Sequence, residues 1–406
     1  MKKNLPIRRE ENMNNKITAI TGNEAVAYAI KQINPDVMAA YPITPQTDIV
    51  EKYSEYVADG LVNTEFITVE SEHSAMSACV GAAAAGGRVM TATSANGLAL
   101  MFEILYIAAS NRLPIIMPVV NRALSAPINI HCDHSDSMAA RDSGWIQIYS
   151  ENAQEAYDNT IQAVRIAEHM EVRLPVMVMY DGFIISHGIE CMELLEDDKV
   201  AEFVGEYPPH YPLLDIDHPV TYGPLDLYDY YFEHKRQQIE AMKKAKRVVL
   251  EIGKEFEQAF GREYKLFEEY QLSDAERAIV VLSSTAGTTK QVVDELRAKE
   301  EKVGLLKLRL FRPFPYREVA QTLSHLKAIA ILDRSASFGA FGGPLFTEIR
   351  SALLEAGKVP QNVNYIYGLG GRDINQTDIA SIYTDLEKIV KTSRVEERVK
   401  YFGVRE

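Results

Sequence analysis

The sequence has 406 residues, 47% of them hydrophobic and 25% charged, with a net charge of −14 at pH 7. That is chain enough for two or three globular domains, each with a real core. The acidic balance, with basic residues scattered among acids, argues against nucleic acid as a partner. No apolar run approaches the ~18 to 20 residues that cross a membrane, so no membrane association is expected. Three cysteines, Cys79, Cys132 and Cys191, lie far apart without a C-x-x-C pair. Neither an iron–sulfur cluster nor a metal site is therefore expected on this chain, and a reducing, cytoplasmic setting is.

Residues 1–16 are polar and mildly basic and read as a tail, disordered or resting on a partner. Met13 is an alternative start, because periodic sequence begins only at Ile17. From 17 to 205 apolar strand-like runs alternate with helical patterns. The strands are expected at Val37–Tyr41, Glu65–Val69, Val89–Thr93, Ile115–Val120, Ile146–Tyr149 and Val176–Tyr180. Helices are expected at Asn23–Gln32, Ser74–Ala85, Leu98–Ser110 and Ala153–Met170. Near-continuous apolar strands separated by helices predict a doubly wound parallel sheet covered on both faces.

Several strand ends carry polar turns. The first is Ala40-Tyr-Pro-Ile-Thr-Pro-Gln46, where two prolines bracket Thr44. Each proline fixes its own φ and pushes the preceding residue into extended geometry. Ligands of open α/β sheets sit beyond the strands' carboxyl ends, so this stiff turn reads either as a ligand clamp or as a strand-to-helix turn with Thr47 capping the next helix. Glu72, in Val69-Glu-Ser-Glu-His73, stands where a strand meets an Ala/Gly-rich helix; Glu70 and Glu72 alternatively do no more than complement the helix dipole. Thr93-Ser-Ala-Asn-Gly97 is a small turn that lets backbone approach a ligand, or a plain cap by Ser94 or Asn96. Arg122 follows an apolar strand and suits bidentate capture of a carboxylate, unless it is a surface arginine. The loop beyond it gathers His131, Cys132, Asp133, His134 and Asp136. Ligands packed so tightly in sequence, without a supporting motif, read better as a substrate-recognising active-site loop than as a metal centre.

From 206 to 270 prolines and tyrosines give way to a long charged helix, about Leu225 to Phe260, that reads as a linker and bridge. A second α/β pattern spans 271–394, with strands at Ala278–Leu282, Val303–Leu308 and Ala328–Leu332, a helix at Thr289–Glu300 and Gly-rich turns at Phe338–Gly343 and Gly368–Arg372. Residues 395–406 read as a C-terminal tail. Neither a Gly-Asp-Gly…Asn motif nor a Walker loop occurs, so the chain shows no means of holding a diphosphate alone.

Taken in order, Tyr41-Pro-Ile-Thr-Pro45, Glu70-Ser-Glu-His73, Thr93-Ser-Ala-Asn-Gly97, Asn121-Arg-Ala-Leu-Ser-Ala-Pro-Ile-Asn129, Asp133-His-Ser-Asp136, Arg141-Asp-Ser-Gly-Trp145, Tyr180-Asp-Gly-Phe183, Phe311-Arg-Pro-Phe-Pro315 and Gly368-Leu-Gly-Gly-Arg-Asp373 resemble the alpha subunits of the 2-oxoacid:ferredoxin oxidoreductases, most of all those of pyruvate type. The resemblance runs from about residue 17 to the C-terminus. It implies a pyrimidine-binding module for thiamine diphosphate followed by a transketolase C-terminal-like domain. A beta subunit would share the cofactor and hold Mg²⁺, while [4Fe-4S] clusters would lie in partner chains of a beta, gamma and delta assembly. The implied reaction joins pyruvate and coenzyme A in an oxidative decarboxylation, or its reverse, with ferredoxin taking electrons through the complex.

By the same resemblance, Glu72 would hydrogen-bond the aminopyrimidine and favour the imino tautomer that removes the thiazolium C2 proton. Thr44 and Arg122 would hold the substrate carboxylate and keto oxygen, and Pro42, Ile43 and Asn96 would border the cofactor. A branched-chain, aryl or 2-oxoglutarate-type substrate is the rival reading within this chemistry, and a non-catalytic scaffold is the rival outside it.

Overall fold

The computed structural model describes residues 16–405. The expected N-terminal tail and Met13 lie outside that range, apart from Lys16, which opens the first strand. The strands are β1 (Lys16–Thr21), β2 (Val37–Ala40), β3 (Glu65–Thr68), β4 (Val89–Met90), β5 (Ile115–Asn121), β6 (Ile146–Tyr149), β7 (Val176–Asp181) and β8 (Ile189–Leu194). They continue with β9 (Phe267–Tyr270), β10 (Arg277–Leu282), β11 (Val303–Leu308), β12 (Leu310–Arg312), β13 (Ala328–Asp333), β14 (Gln361–Ile366) and β15 (Val399–Tyr401).

Seven strands form the first sheet, in the order β12-β6-β7-β5-β4-β2-β3. All its pairings are parallel except that of β12 with β6. Every residue of β5, β6 and β7 is buried. Helices cover both faces, which is why these strands read as continuous apolar runs rather than alternating ones. The second sheet has the order β15-β14-β13-β10-β11-β9, parallel but for the edge strand β9. β1 and β8 make a separate antiparallel pair. The architecture is thus two helix-covered parallel sheets, as the sequence predicts.

Local differences have local causes. The Ala-rich helix runs Glu72–Ala85, two residues earlier than expected, because Ser71 is its N-cap and its side chain accepts from the Ser74 amide. The helix expected over Leu98–Ser110 is two, Ala95–Leu100 and Phe102–Ser110. The long helix is Tyr231–Phe260 and is more than a bridge. Ala241, Ala245, Val248, Val249, Ile252, Phe256 and Phe260 are buried along it, a 3.6-residue stripe hidden in the sequence by surrounding charge. Phe256 meets Phe203 and Tyr264 edge-on. The segment read as a C-terminal tail supplies β15.

Candidate active site

The carboxyl ends of β2, β3, β4 and β5 open toward one side of the first sheet, and the polar turns gather there. The turn after β2 is held from behind. Asn23, buried in the helix Gly22–Ile33, donates from Nδ2 to the Pro45 carbonyl at 2.7 Å and accepts from the Tyr180 hydroxyl at 2.9 Å. The Ile43 amide donates to Gln46 Oε1 at 3.2 Å. Pro42 and Thr44 are exposed and Ile43 is half-buried, so the face of this turn is presented outward. Thr47 does not cap the next helix: it is already its first residue, and Gln46 at the N-cap position makes no side-chain cap bond.

Glu72 is the first residue of its helix and only 7% exposed. Its carboxylate has no hydrogen-bond partner among the described residues, although the helix N-terminus favours a negative charge there. It lies against Gly97: a β-carbon built on Gly97 would stand 2.8 Å from Glu72 Oε1 and 2.5 Å from Thr93 Oγ1. Only a glycine leaves this space. Thr93 Oγ1 is buried without a partner, a second polar atom that the protein leaves unsatisfied beside the same glycine. Buried polar atoms cost free energy unless something bonds them. Glu70 differs sharply, being exposed and accepting from Ser74 Oγ at 2.5 Å.

Arg122 is buried at the end of β5. Its Nε donates to the Asn129 carbonyl at 2.8 Å and its Nη1 to the Thr44 carbonyl at 2.7 Å, tying the proline turn to the loop beyond β5. Its Nη2 has no hydrogen-bond partner among the described residues and remains for a ligand. Burial lowers its pKa, and Asp136 partly offsets that. Asn96 is exposed, and its Oδ1 accepts from the Ser125 amide and hydroxyl at 3.3 and 3.2 Å.

The His131–Asp136 residues divide by role. Only His131 is exposed, its ring 5.2 Å from that of Phe183. Asp133 accepts from the Ser135 and Gly370 amides at 2.9 and 3.1 Å. Asp136 accepts from the backbone amides of Ala95 and Arg122, both at 3.0 Å, and from Asn121 Nδ2 at 2.8 Å. It thereby fixes the turn after β4 relative to Arg122. Burial nevertheless pushes its carboxyl up to about 6.

His134 turns inward to Asp181, the last residue of β7, with Nε2 2.8 Å from Oδ1. Asp181 Oδ2 also accepts from Arg334 Nη1 at 2.7 Å and Ser284 Oγ at 2.5 Å. Arg334 Nη2 donates to Thr285 Oγ1 at 3.1 Å, which also accepts from the Tyr367 hydroxyl at 2.8 Å. This buried network joins the carboxyl ends of β7, β10, β13 and β14. Burial alone would raise the Asp181 carboxyl, but the charges of Arg334 and His134 overcome it and hold it far below the ordinary carboxylate range. Ligating atoms of Cys132, His134 and Asp181 lie within 4.8 Å of one another. The Arg334 guanidinium, 2.7 Å from Asp181 and 3.7 Å from Cys132 Sγ, already supplies the positive charge there.

Sequence reasoning named the turns but not Asn23, Thr93, Gly97, Asp181 or Arg334 as their supports. Thr93 and Gly97 left a trace as the two ends of the small polar turn, and Asp181 lies in the Tyr180–Phe183 stretch, but none was read as a support.

Comparison with known proteins gives the chain its family. Residues 28–254 match the family described as pyruvate flavodoxin/ferredoxin oxidoreductase, thiamine diphosphate-binding, and residues 275–379 match pyruvate:ferredoxin oxidoreductase core domain II. The chain is 61% identical to the pyruvate synthase subunit PorA of Thermotoga maritima, over 96% of this chain and 98% of that protein. It is 50% identical to the subunit of the same name from Methanocaldococcus jannaschii, over 92% of this chain and 95% of that one. Identity to the ketoisovalerate oxidoreductase subunit VorA of Pyrococcus horikoshii is 43%, over 95% of this chain and 98% of that one. In fold it is similar to the 2-oxoglutarate:ferredoxin oxidoreductase of Magnetococcus marinus, with a TM-score of 0.73 at 19% identity. That match covers 91% of this chain and spans 65% of the length of the other.

Proposed function

Because the chain belongs to the pyruvate flavodoxin/ferredoxin oxidoreductase family, we propose that it is the alpha-type subunit of a pyruvate:ferredoxin oxidoreductase and supplies the aminopyrimidine side of a thiamine diphosphate site. The observation that carries this reading is the buried Glu72 carboxylate, unpartnered and facing the space that Gly97 keeps open. The orphaned Thr93 hydroxyl beside it supports a polar ligand there.

Bound thiamine diphosphate supplies an acidic carbon and an electron sink, which decarboxylation of a 2-oxoacid needs and no side chain offers. Glu72 would hold the aminopyrimidine by sharing a proton with one of its ring nitrogens. The Thr93 hydroxyl offers a second hydrogen bond, and Gly97 lets the ring approach. Arg122 Nη2 receives the substrate carboxylate, while Nε and Nη1 keep the guanidinium in one orientation. Thr44, on the outward face of the proline turn, meets the keto oxygen. Pro42, Ile43 and Asn96 border the cofactor, and exposed His131 faces the approach to the site, whereas Asp133, His134 and Asp136 hold the surrounding loop in place.

A beta subunit would complete the site with the diphosphate and Mg²⁺ ligands this chain lacks. Partner beta, gamma and delta chains would carry the [4Fe-4S] clusters that lead electrons to ferredoxin, with coenzyme A accepting the acyl group. No helix among the described residues is long and apolar enough to cross a membrane, and we place the complex in the cytoplasm. We retain the boundaries near 205, 270 and 394 as the division into pyrimidine module, linker with bridging helix and C-terminal-like domain. The ketoisovalerate-named relative keeps one rival alive, a branched-chain 2-oxoacid.

The deciding experiment is Glu72→Gln in the reconstituted complex. Cofactor should bind, but hydrogen–deuterium exchange at thiazolium C2 should slow by ~10² to 10⁴, the usual weight of general acid–base assistance. Exchange at the wild-type rate would sink the assignment. Assay of the wild-type complex against pyruvate and 2-oxoisovalerate settles the substrate.

A further inference from the structure

The opposite end of the first sheet, where β5 and β7 begin, carries a pocket of about 410 Å³. Arg112, just ahead of β5, and Arg173, just ahead of β7, both line it, because these two strands are parallel neighbours. Met170, Gln237 and the segment around residues 210–222, with His210, Tyr211, Thr221 and Tyr222, complete the lining. That cover is tied down: the Tyr222 hydroxyl donates to the Tyr211 carbonyl at 3.1 Å, and the Leu213 amide donates to the Ala84 carbonyl at 2.8 Å.

The two guanidinium groups are held together rather than apart. Arg112 Nε donates to the Val172 and Arg173 carbonyls at 3.2 and 3.1 Å, which locks one arginine onto the backbone of the other. Its Nη1 has no hydrogen-bond partner among the described residues. Arg173 is 7% exposed, yet its Nη1 is enclosed with no partner, and its Nη2 reaches only the Tyr207 hydroxyl at 3.5 Å. The nearby carboxylate, Glu168, feels the Arg173 charge but makes its direct ion pair with Arg88. Both its oxygens are taken by Arg88, from Nε at 2.7 Å and Nη2 at 2.9 Å. Burial and then the Arg173 charge lower the pKa of both Arg112 and His210, as expected where positive groups crowd together. An enclosed guanidinium nitrogen with no acceptor is costly unless a ligand completes it.

We propose that this pocket binds a small phosphoryl-bearing anion between Arg112 and Arg173. A carboxylate is planar and is met fully by one guanidinium fork, whereas a phosphoryl group offers three oxygens in different directions and up to two negative charges. It can bond two forks at once and offset both. The Thr221 hydroxyl and the Asn111 amide line the same space as further donors. The site stands apart from the Glu72 side of the sheet, so it is regulatory or structural in effect rather than part of the chemistry.

Inorganic phosphate is the probe, titrated calorimetrically into the assembled complex and into the full-length chain. The expected result is one saturable phosphate per chain in both. Acetate should fail to compete, and 2-oxoacid turnover without phosphate should be unchanged in the variants. Arg112→Gln, whose unfolding midpoint is measured alongside, should weaken binding about tenfold or more, and Arg173→Met should abolish it. Three outcomes overturn the proposal. One is no saturable binding to wild type at concentrations up to about 10 mM. Another is binding that Arg112→Gln leaves intact. The third is binding to the free chain but not to the complex, which would mean that a partner carboxylate fills the pocket.

Discussion

Two regions at the carboxyl ends of the first sheet treat buried polar groups in opposite ways. Around β2 to β5, Glu72, Thr93 Oγ1 and Arg122 Nη2 are set in place and left without partners. Around β7, where the second sheet docks, Asp181 receives His134, Arg334 and Ser284 together. Unpaired groups of this kind mark where a ligand can complete them, although Arg334 Nε in the second region is also buried without a partner. Saturated ones hold two bodies in register. Burial by itself therefore separates nothing here; the count of partners does.

Mutation can break that contrast. The largest effect should come from Glu72→Gln, with C2 exchange in the complex slowed ~10² to 10⁴ while the chain's unfolding midpoint stays at the wild-type value. Glu70→Gln is its control: the exposed residue bonds only Ser74, and exchange should change less than about twofold. A Glu72 variant that lost stability instead of exchange rate would place this residue with the saturated group.

Asp181→Asn should show the reverse. Removing one partner of a buried ion pair costs about 3 to 5 kcal/mol, read by denaturant unfolding of the full chain. The pH dependence gives a second reading with a definite sign. Asp181 is held below the ordinary range in the folded state, so the unfolded chain binds its proton first. The stability it contributes is complete above the unfolded value of about 4 and drains away as pH falls below it. The asparagine variant should lose that part of the acid sensitivity.

Arg122→Ala should raise the KM for pyruvate by about 10- to 100-fold, the weight of a charge-assisted hydrogen bond. Arg122→Lys should recover little of it, because an ammonium cannot reproduce the planar fork that reaches the Asn129 and Thr44 carbonyls and the substrate together. An unchanged KM in both variants would confine Arg122 to tying the loops. Gly97→Ala should have a smaller effect than Glu72→Gln. One methyl group forces Glu72 or Thr93 to move, at a cost of about 1 to 3 kcal/mol, and should appear as weaker thiamine diphosphate binding in calorimetry.

Turns were more legible in the sequence than their supports. Prolines around Thr44, small residues at 93–97 and the apolar run before Arg122 each announce themselves within a few positions. The groups that hold them arrive from far along the chain: Asn23 reaches Pro45 across 22 residues, and Arg334 reaches Asp181 across 153. No local period or motif encodes such a pairing. The individual roles in the loop at 131–136 were hidden in the same way. Its histidines and aspartates look equivalent in sequence, yet His134 and Asp136 point into the protein while His131 stays outside. The helix Tyr231–Phe260 was read from its charges, and the apolar stripe beneath them needed its packing partner to be seen.

β12 carries a consequence for anyone dissecting the molecule. Its three residues come from the second half of the chain, yet they pair with β6 and close the edge of the first sheet. A fragment ending near residue 270 would keep every residue of the Glu72 pocket and still bare the β6 ladder, an open template for aggregation. It would also lose Arg309, whose guanidinium bonds Asn159 and Gln162 in the helix behind that strand. Minimal catalytic fragments of this protein, or chimeras swapping its front half, would need to carry residues 309–312 along, because the boundary drawn by sequence order is not the one drawn by solubility.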